Sequence, residues 1–140
     1  VGRELGADIT INVREENVVD RVMELTDGVG AGLVVECTGQ SAPAAEVLDF
    51  IRKNGRISFN GIYHDPVTLQ LDKIVQWNLL ITGPKAEGKL NLKRAIPLMA
   101  DGRMDFKPLI THHFKLDEIN EAFDTFNGRI GGSIKVIINP

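Results

Sequence analysis

Short apolar runs alternate with amphipathic stretches along most of this chain, and the alternation predicts repeated strand and helix units. Residues 9–13 and 33–37 are β-rich runs that predict strands, and the second has the continuous apolar character of a strand covered on both faces of a parallel sheet. Between them, Asn17 can cap a helix. Its apolar side chains recur at i, i+4 and i+7, namely at Val18, Val22 and Leu25. Residues 1–8 also have a helical pattern.

The strand and helix unit repeats after this second strand. Ser41 can cap a helix, Gly55 suits its C-terminal cap, and residues 56–62 predict the next strand. The buried stripe of the helix consists of Ala44, Leu48 and Ile51. The order strand, helix, strand, helix, strand predicts right-handed crossovers and a parallel sheet with helices on both faces. The expected fold class is therefore α/β, as part of a doubly wound, Rossmann-type sheet.

The pattern becomes less regular after Tyr63. Strands are predicted at 67–71 and 79–82, around a helical turn at 72–78, and a helix that contains Pro97 is predicted at 90–101, ending at Gly102. An extended segment at 107–114 and a strand at 134–138 are also predicted. Between them, a helix is predicted from Asp117 to Gly128, with Ile119, Ala122, Phe123 and Phe126 on one face. Because Val1 stands inside a predicted helix, we expect the chain to be the second part of a larger protein.

Composition excludes several classes of function. The net charge of -3 and the scattered basic residues argue against nucleic acid as a partner, because a phosphate-binding surface needs a clustered basic excess. The single cysteine, Cys37, can form neither an internal disulfide nor a cysteine-rich zinc site. No apolar run reaches the roughly 18 residues that span a membrane, and no signal peptide opens the chain. We therefore expect a cytoplasmic protein without a membrane partner.

A glycine-rich phosphate loop is missing. A doubly wound dinucleotide site needs G-x-G-x-x-G between a strand and a helix, because only glycine lets the backbone approach the pyrophosphate. The nearest match, at residues 28–32, follows a predicted helix and precedes a strand, and Leu33 stands where the third glycine is needed. This segment predicts a helix-to-strand loop. Hydrolase and kinase motifs are absent as well.

Three strand exits are the best candidates for ligand contact, because open α/β sheets bind ligands beyond the carboxyl ends of their strands. Each exit has small or polar residues: Cys37, Thr38 and Gly39; Asn60, Gly61 and Ile62; Thr82, Gly83 and Pro84. Glycine permits close approach to a planar ligand, and Thr38 or Asn60 can hydrogen-bond to it. A single glycine here would equally well make a turn, but three at one edge favour a ligand.

The histidines indicate no metal site. His112 and His113 are adjacent, so they point to opposite faces of an extended segment, and no Cys, His, Asp and Glu cluster has zinc spacing. His64 follows a strand exit and stands beside Asp65, but a structural or surface role is favoured for each histidine. We predict no catalytic and no metal-binding residue within the chain.

The ordered set of segments resembles a known family over nearly all of the chain. It consists of ELGAD at 4–8, VVECTG at 34–39, KNGRISFNG at 53–61, KPLITHHF at 107–114, LDEINEAF at 116–123 and IKVI at 134–137. The set is similar to the C-terminal part of the zinc-dependent medium-chain alcohol and polyol dehydrogenases, of the sorbitol and threonine dehydrogenase kind. The resemblance implies hydride transfer between the carbon of a small-molecule alcohol and NAD or NADP, with zinc polarising the substrate oxygen.

The resemblance also implies roles for individual segments. It places Cys37, Thr38, Gly39, Asn60, Gly61 and Ile62 beside the cofactor's ribose and nicotinamide, Gly83, Pro84 and Lys85 beside the carboxamide, and Lys135 opposite a cofactor phosphate. It further implies a homo-oligomer that pairs through the sheet edge at 67–83, an edge that must in any case be paired or protected.

The family's glycine fingerprint, acidic ribose ligand, zinc ligands and first two strands would all precede Val1. Residues 1–140 are thus expected to be the C-terminal portion of a dinucleotide-binding domain, with a return segment from about residue 103. Residues 9–13 would lack their neighbours, so we expect disorder or rearrangement over residues 1–30. The leading hypothesis is a dehydrogenase fragment that is inactive alone and binds neither NAD(P) nor zinc tightly. The alternatives are a stand-alone oligomerising module or a small-ligand-binding domain derived from the same fold.

Overall fold

A computed structural model describes residues 1–85, 88–102 and 105–140. The helices and strands are α1 (Val18–Leu25), β1 (Ala31–Glu36), α2 (Ser41–Phe50), β2 (Ile51–Phe59), α3 (Leu71–Gln76), β3 (Leu80–Thr82), α4 (Lys89–Ala100), β4 (Ile110–Lys115), α5 (Ile119–Asn127) and β5 (Lys135–Asn139). They fall into two compact units, which are described separately. The first unit begins at residue 11 and includes β1 to β3, and the second combines residues 1–10 with the elements from α4 onward.

The first unit is a three-stranded parallel sheet in the order β1-β2-β3, and α2 and α3 connect its strands. Val34, Ile57 and Ile81 form one row across it, since each pairs with the next in register. Ile57 is 1% exposed and packs with Val47 and Leu48 of α2. The α/β class and the parallel order of strands are confirmed, and the core lies on the face of the sheet that α2 covers.

The other face of this sheet remains open. Leu33, Arg56 and Leu80 form a row on that face, and Leu33 and Leu80 are 61% and 54% exposed. Val35 is 52% exposed. The prediction that β1 is covered on both faces is therefore wrong for these side chains. An apolar run shows that both faces of a strand can be buried, but burial of a face requires a helix or another sheet packed against it. α2 packs against the opposite face.

The helix predictions hold for α1 and in part for α2. Asn17 caps α1, with its Oδ1 accepting a hydrogen bond from the backbone nitrogen of Asp20 at 3.0 Å. The predicted stripe of α2 is buried, at Ala44, Leu48 and Ile51. Ser41, however, lies inside the helix, whose N-cap is Gln40. The predicted C-cap, Gly55, is buried within β2. β2 follows α2 directly, and the left-handed conformation falls on Asn54, whose φ is 57°.

Three predicted elements do not form. Residues 1–8 make hydrogen-bonded turns instead of a helix, with Leu5 donating to the carbonyl of Val1 at 3.0 Å. Residues 9–13 and 67–71 have strand-like composition but pair with no other strand. A β-rich run becomes a strand only where a neighbour supplies the hydrogen-bonded ladder. The disorder or rearrangement expected over residues 1–30 stays a prediction, and α1 forms within that range.

In the second unit, β4 and β5 form a parallel pair, with α5 between them in the chain. The predicted helix at 90–101 and the final strand at 134–138 are confirmed as α4, which contains Pro97, and β5. Within the segment predicted to be extended, residues 107–109 form a 3-10 turn before β4.

The helix predicted after Asp117 forms as α5, but Asp117 is not its cap. It lies in a preceding 3-10 turn, Leu116–Glu118. There the side chain of Glu118 accepts a hydrogen bond from the backbone nitrogen of Lys115 at 2.8 Å. Of the apolar face of α5, Ala122 is 3% exposed while Phe123 is 59% exposed. None of the helices in the described ranges is long and apolar enough to cross a bilayer.

Candidate functional site

The carboxylate of Glu36 links the first two strand exits. Glu36 is the last residue of β1 and only 5% exposed. Its carboxylate accepts four hydrogen bonds, from the backbone nitrogen and the hydroxyl of Thr38, the backbone nitrogen of Gly39 and the hydroxyl of Tyr63. The backbone bond from Thr38 is 2.7 Å long. A buried carboxylate is tolerated where its oxygens are satisfied in this way.

The backbone of Glu36 makes a second set of contacts to the same exit. Its carbonyl oxygen accepts hydrogen bonds from the backbone nitrogens of Asn60, at 2.7 Å, and Gly61, at 3.2 Å. Tyr63 then returns to the carboxylate and packs edge-on against Phe59, with ring centroids 6.0 Å apart. Glu36 thus holds residues 37–39 and 60–63 together through both backbone and side chain.

Two glycines allow these exits to touch. A Cβ at Gly61 would lie 2.3 Å from the nitrogen and 2.6 Å from the Cα of Gly39. A Cβ at Gly39, whose φ is 68°, would lie 2.5 Å from the carbonyl oxygen of Ile62. Neither distance accommodates a carbon atom. Gly39 and Gly61 were predicted to permit approach of a ligand, but the close approach that they permit in this structure is of one exit to the other.

The hydrogen bonds change the titration of both partners. Burial raises the pKa of Glu36, but the hydrogen bonds from Thr38, Tyr63 and Gly39 outweigh it, so that the pKa lies below its ordinary value of 4.5. Burial, the hydrogen bond to Glu36 and the charges of Glu36 and Cys37 raise the pKa of Tyr63 to about 12. At neutral pH the pair therefore consists of an ionised carboxylate and a neutral phenol that donates to it.

The remaining residues of the two exits offer mixed chemistry to a ligand. Cys37 and Thr38 are exposed, and Ile62 is 80% exposed. Asn60 is also exposed, and its Oδ1 accepts a hydrogen bond from the hydroxyl of Ser58 at 2.9 Å. Within the part of the chain that is described, Asn60 Nδ2 has no acceptor. An apolar side chain and an amide donor thus occupy one small surface.

The third exit follows β3 at the neighbouring position in the sheet. Gly83, Pro84 and Lys85 are exposed, and a Cβ at Gly83 would have no atom within 4 Å. β2 and β3 run parallel, so this exit points to the same edge of the sheet as residues 60–62. The structure therefore places all three predicted exits at one sheet edge, brings the first two into contact, and leaves the third open. Lys135 belongs to the second unit, at the start of β5, and is exposed.

A groove of about 920 Å³ runs along β1 and α2. Its lining is mostly apolar, with Val34, Val35 and Val47 among its residues, and it reaches Cys37 and Thr38 of the first exit. The sequence patterns gave no indication of this groove, because it depends on how α2 crosses the sheet.

The histidines and other potential metal ligands are dispersed. Within residues 1–85, 88–102 and 105–140, no group of three or more His, Cys, Asp and Glu side chains could hold a metal ion. His112 and His113 alternate along β4, with His112 half-buried and stacked against Phe114 at a centroid distance of 6.5 Å. His64 is exposed.

Sequence reasoning missed Glu36 and Tyr63, which organise the site. A signal was present for Glu36, because it is the one charge in the otherwise apolar run of residues 33–37, and a buried carboxylate needs several donors. Tyr63 is the only tyrosine of the chain, but nothing in the spacing indicated that it reaches back 27 residues.

Comparison with known proteins places this geometry in a family. The sequence profile described as zinc-binding dehydrogenase matches residues 1–101. An alcohol dehydrogenase from Cupriavidus necator is 32% identical over 100% of this chain and 39% of its own length. A sorbitol dehydrogenase from Halalkalibacterium halodurans is 30% identical over 99% of this chain and 40% of its own length. The crystal structure of an alcohol dehydrogenase from Thermotoga maritima superposes with a TM-score of 0.88 at 29% identity, covering 99% of this chain and 39% of that one.

These matches confirm the resemblance seen in the sequence and the Rossmann-type fold. The chain spans about two fifths of the length of the curated relatives that it matches. Since the profile covers most of the 140 residues and the relatives align over nearly all of them, the chain belongs to the zinc-binding dehydrogenase family.

Proposed function

We propose that this chain is part of an NAD(P)- and zinc-dependent alcohol or polyol dehydrogenase, and that its strand exits form the nicotinamide end of the cofactor site. We call residues 37–39, 60–62 and 83–85 the strand-exit surface. One observation carries the proposal: these segments follow three neighbouring parallel strands at a single sheet edge. Ligands of open α/β sheets bind beyond such carboxyl ends.

The chemistry of this surface fits a nicotinamide. The exposed side chain of Ile62 can cover one face of a planar ring, and Asn60 Nδ2 is available to a carbonyl oxygen such as that of the carboxamide. Gly83 leaves open space for close backbone approach. A nicotinamide bound there would supply the acceptor for a hydride from the alcohol carbon, with the hydroxyl proton released to solvent and a carbonyl compound as the product.

Zinc does not fit the described residues, because they contain no suitable cluster of ligands. Zinc ligation and activation of the alcohol therefore belong to other residues of the proposed enzyme. We accordingly expect the purified 140-residue chain to show no oxidation of alcohols with NAD or NADP, with or without added zinc, while a full-length family member assayed in parallel turns over. Measurable zinc-dependent turnover by the chain alone would contradict this assignment.

Titration with half-cofactors tests the strand-exit surface directly. Nicotinamide mononucleotide carries the ring, ribose and one phosphate, and adenosine monophosphate serves as the matched control because it carries adenine in place of nicotinamide on the same ribose phosphate. We expect weak binding of nicotinamide mononucleotide to the ¹⁵N-labelled chain, with a Kd on the order of 1 mM or above. Amide shifts should concentrate in residues 37–39, 60–62 and 83–85. Equal shifts with both nucleotides, or shifts elsewhere, would favour a different ligand.

We also propose that copies of this chain pair through the edge at 67–83. β3 is an edge strand with Leu80 54% exposed, and a bare edge invites pairing. Leu80→Lys should then reduce the molar mass measured by light scattering after size-exclusion chromatography. Leu33→Lys is the matched control, because Leu33 is 61% exposed in the same row of the sheet but on β1. An equal effect of the two variants would count against pairing at β3.

The cytoplasmic location and the phosphate contact of Lys135 stay predictions.

A further inference from the structure

We infer that Glu36 is a positioning and specificity-determining residue: its buried carboxylate fixes the two touching strand exits and favours the oxidised, positively charged nicotinamide ring over the reduced, neutral one. The inference rests on the proposed function, since it assumes that a nicotinamide occupies the strand-exit surface. It concerns a residue that contacts the exits and not the cofactor itself.

The positioning part follows from the contacts. The side chain of Glu36 accepts hydrogen bonds from Thr38, Gly39 and Tyr63, and its carbonyl oxygen accepts those of Asn60 and Gly61. Among the described residues of the first unit, only Glu36 contacts both exits through its backbone and its side chain together. Residues 37–39 and 60–62 therefore share one anchor, and their separation depends on it.

The electrostatic part follows from burial and charge. Glu36 is 5% exposed, so solvent screens its charge poorly, and its hydrogen-bond donors keep it ionised at neutral pH. The donors are neutral, and among residues 11–85 the ion pairs are those of Arg21 and Lys73, neither of which involves Glu36. A net negative charge thus lies beneath the surface on which the ring would sit.

The size of the effect can be bounded. If the distance from the carboxylate to the ring is taken as about 10 Å, a unit charge changes the relative affinity of a charged and a neutral ring about twofold to sixteenfold for effective dielectric constants of about 80 to 20. The oxidised and reduced forms share the ribose and phosphate, so the ratio of their dissociation constants isolates the charge of the ring. A purely structural role of Glu36 would change both constants by the same factor.

The test measures the dissociation constants of oxidised and reduced nicotinamide mononucleotide for the 140-residue chain and its variants, by amide shifts at neutral pH. Glu36→Gln removes the charge and keeps nearly the same shape, and we expect the preference for the oxidised form to fall at least twofold. Tyr63→Phe keeps the charge and removes a donor, so its preference should equal or exceed that of the unmodified chain. Glu36→Asp also keeps the charge but shortens the anchor, so both affinities should fall without loss of preference.

The outcomes separate a structural role of Glu36 from an electrostatic one. If Glu36→Gln lowers the affinity for the oxidised and the reduced nucleotide by the same factor, Glu36 acts only as a structural anchor and the electrostatic part is overturned. A reduced preference in Tyr63→Phe would also overturn it, so the electrostatic part can still be refuted if Glu36→Gln fails to fold by circular dichroism. If the unmodified chain binds neither form, the proposed nicotinamide site fails and the inference falls with it. Binding with an unchanged ratio in Glu36→Gln refutes the inference alone.

Discussion

Gly61→Ala should destabilise the first unit by about 2–4 kcal/mol, because the two strand exits have no room for a methyl group. The new Cβ would lie 2.3 Å from the nitrogen and 2.6 Å from the Cα of Gly39, both backbone atoms that cannot rotate away. Restoring ordinary contact requires the exits to separate by about 1 Å. Overpacking of this kind costs about 1–3 kcal/mol, and a loosened hydrogen bond to Glu36 about 1 kcal/mol more.

Gly83→Ala is the matched control at the third exit. A Cβ there meets no atom within 4 Å, and φ at Gly83 is not positive. We expect this variant to change the free energy of unfolding by no more than about 0.5 kcal/mol. The same substitution, made just beyond the end of the neighbouring strand, thus meets open space instead of backbone atoms.

Urea unfolding followed by tryptophan fluorescence measures both variants. Trp77 is the only tryptophan and packs against the core of the first unit, so it reports on the unit that contains both glycines. The midpoint should fall for Gly61→Ala while the m-value stays constant, which would show that stability and not compactness has changed. Equal midpoints for Gly61→Ala and Gly83→Ala would refute the argument that the exits are in contact.

Three further predictions concern the core and the buried pair. Ile57→Ala should cost about 2–5 kcal/mol in the same urea assay because Ile57 is 1% exposed, whereas Val75→Ala, at a side chain 78% exposed, should cost less than about 0.5 kcal/mol. Glu36 has a lowered pKa, so the stability that it contributes is complete above pH 4.5 and disappears as the pH falls through the folded-state pKa. The difference in free energy of unfolding between the unmodified chain and Glu36→Gln should therefore shrink in acid. A difference that stays constant with pH would contradict this. The raised pKa of Tyr63 means that its contribution is complete below pH 10 and disappears towards about pH 12, so Tyr63→Phe should lose less stability over that range, as pH-dependent unfolding can measure.

The prediction of elements from the sequence succeeded where local patterns suffice. Asn17 caps α1, and Ala44 and Leu48 are buried on α2, since helix caps and stripes depend on side chains only a few residues apart. It failed at residues 9–13 and 67–71, which are β-rich but form no strand, because a strand depends on a hydrogen-bonded partner elsewhere in the chain. Gly55 was assigned to a helix end for the same reason: its burial within β2 is invisible to local spacing.

The sequence alone determined the α/β class, the parallel order of strands and the family, because these depend on periodicity and on the order of segments along the chain. It also located the strand exits, since a strand's end is marked by glycine and polar residues. Only the tertiary structure decided that residues 37–39 and 60–62 touch, and that Glu36 and Tyr63 hold them together. Tyr63 and Glu36 are 27 residues apart, and the cost of burying the carboxylate is offset only by hydrogen-bond donors that no local pattern brings together.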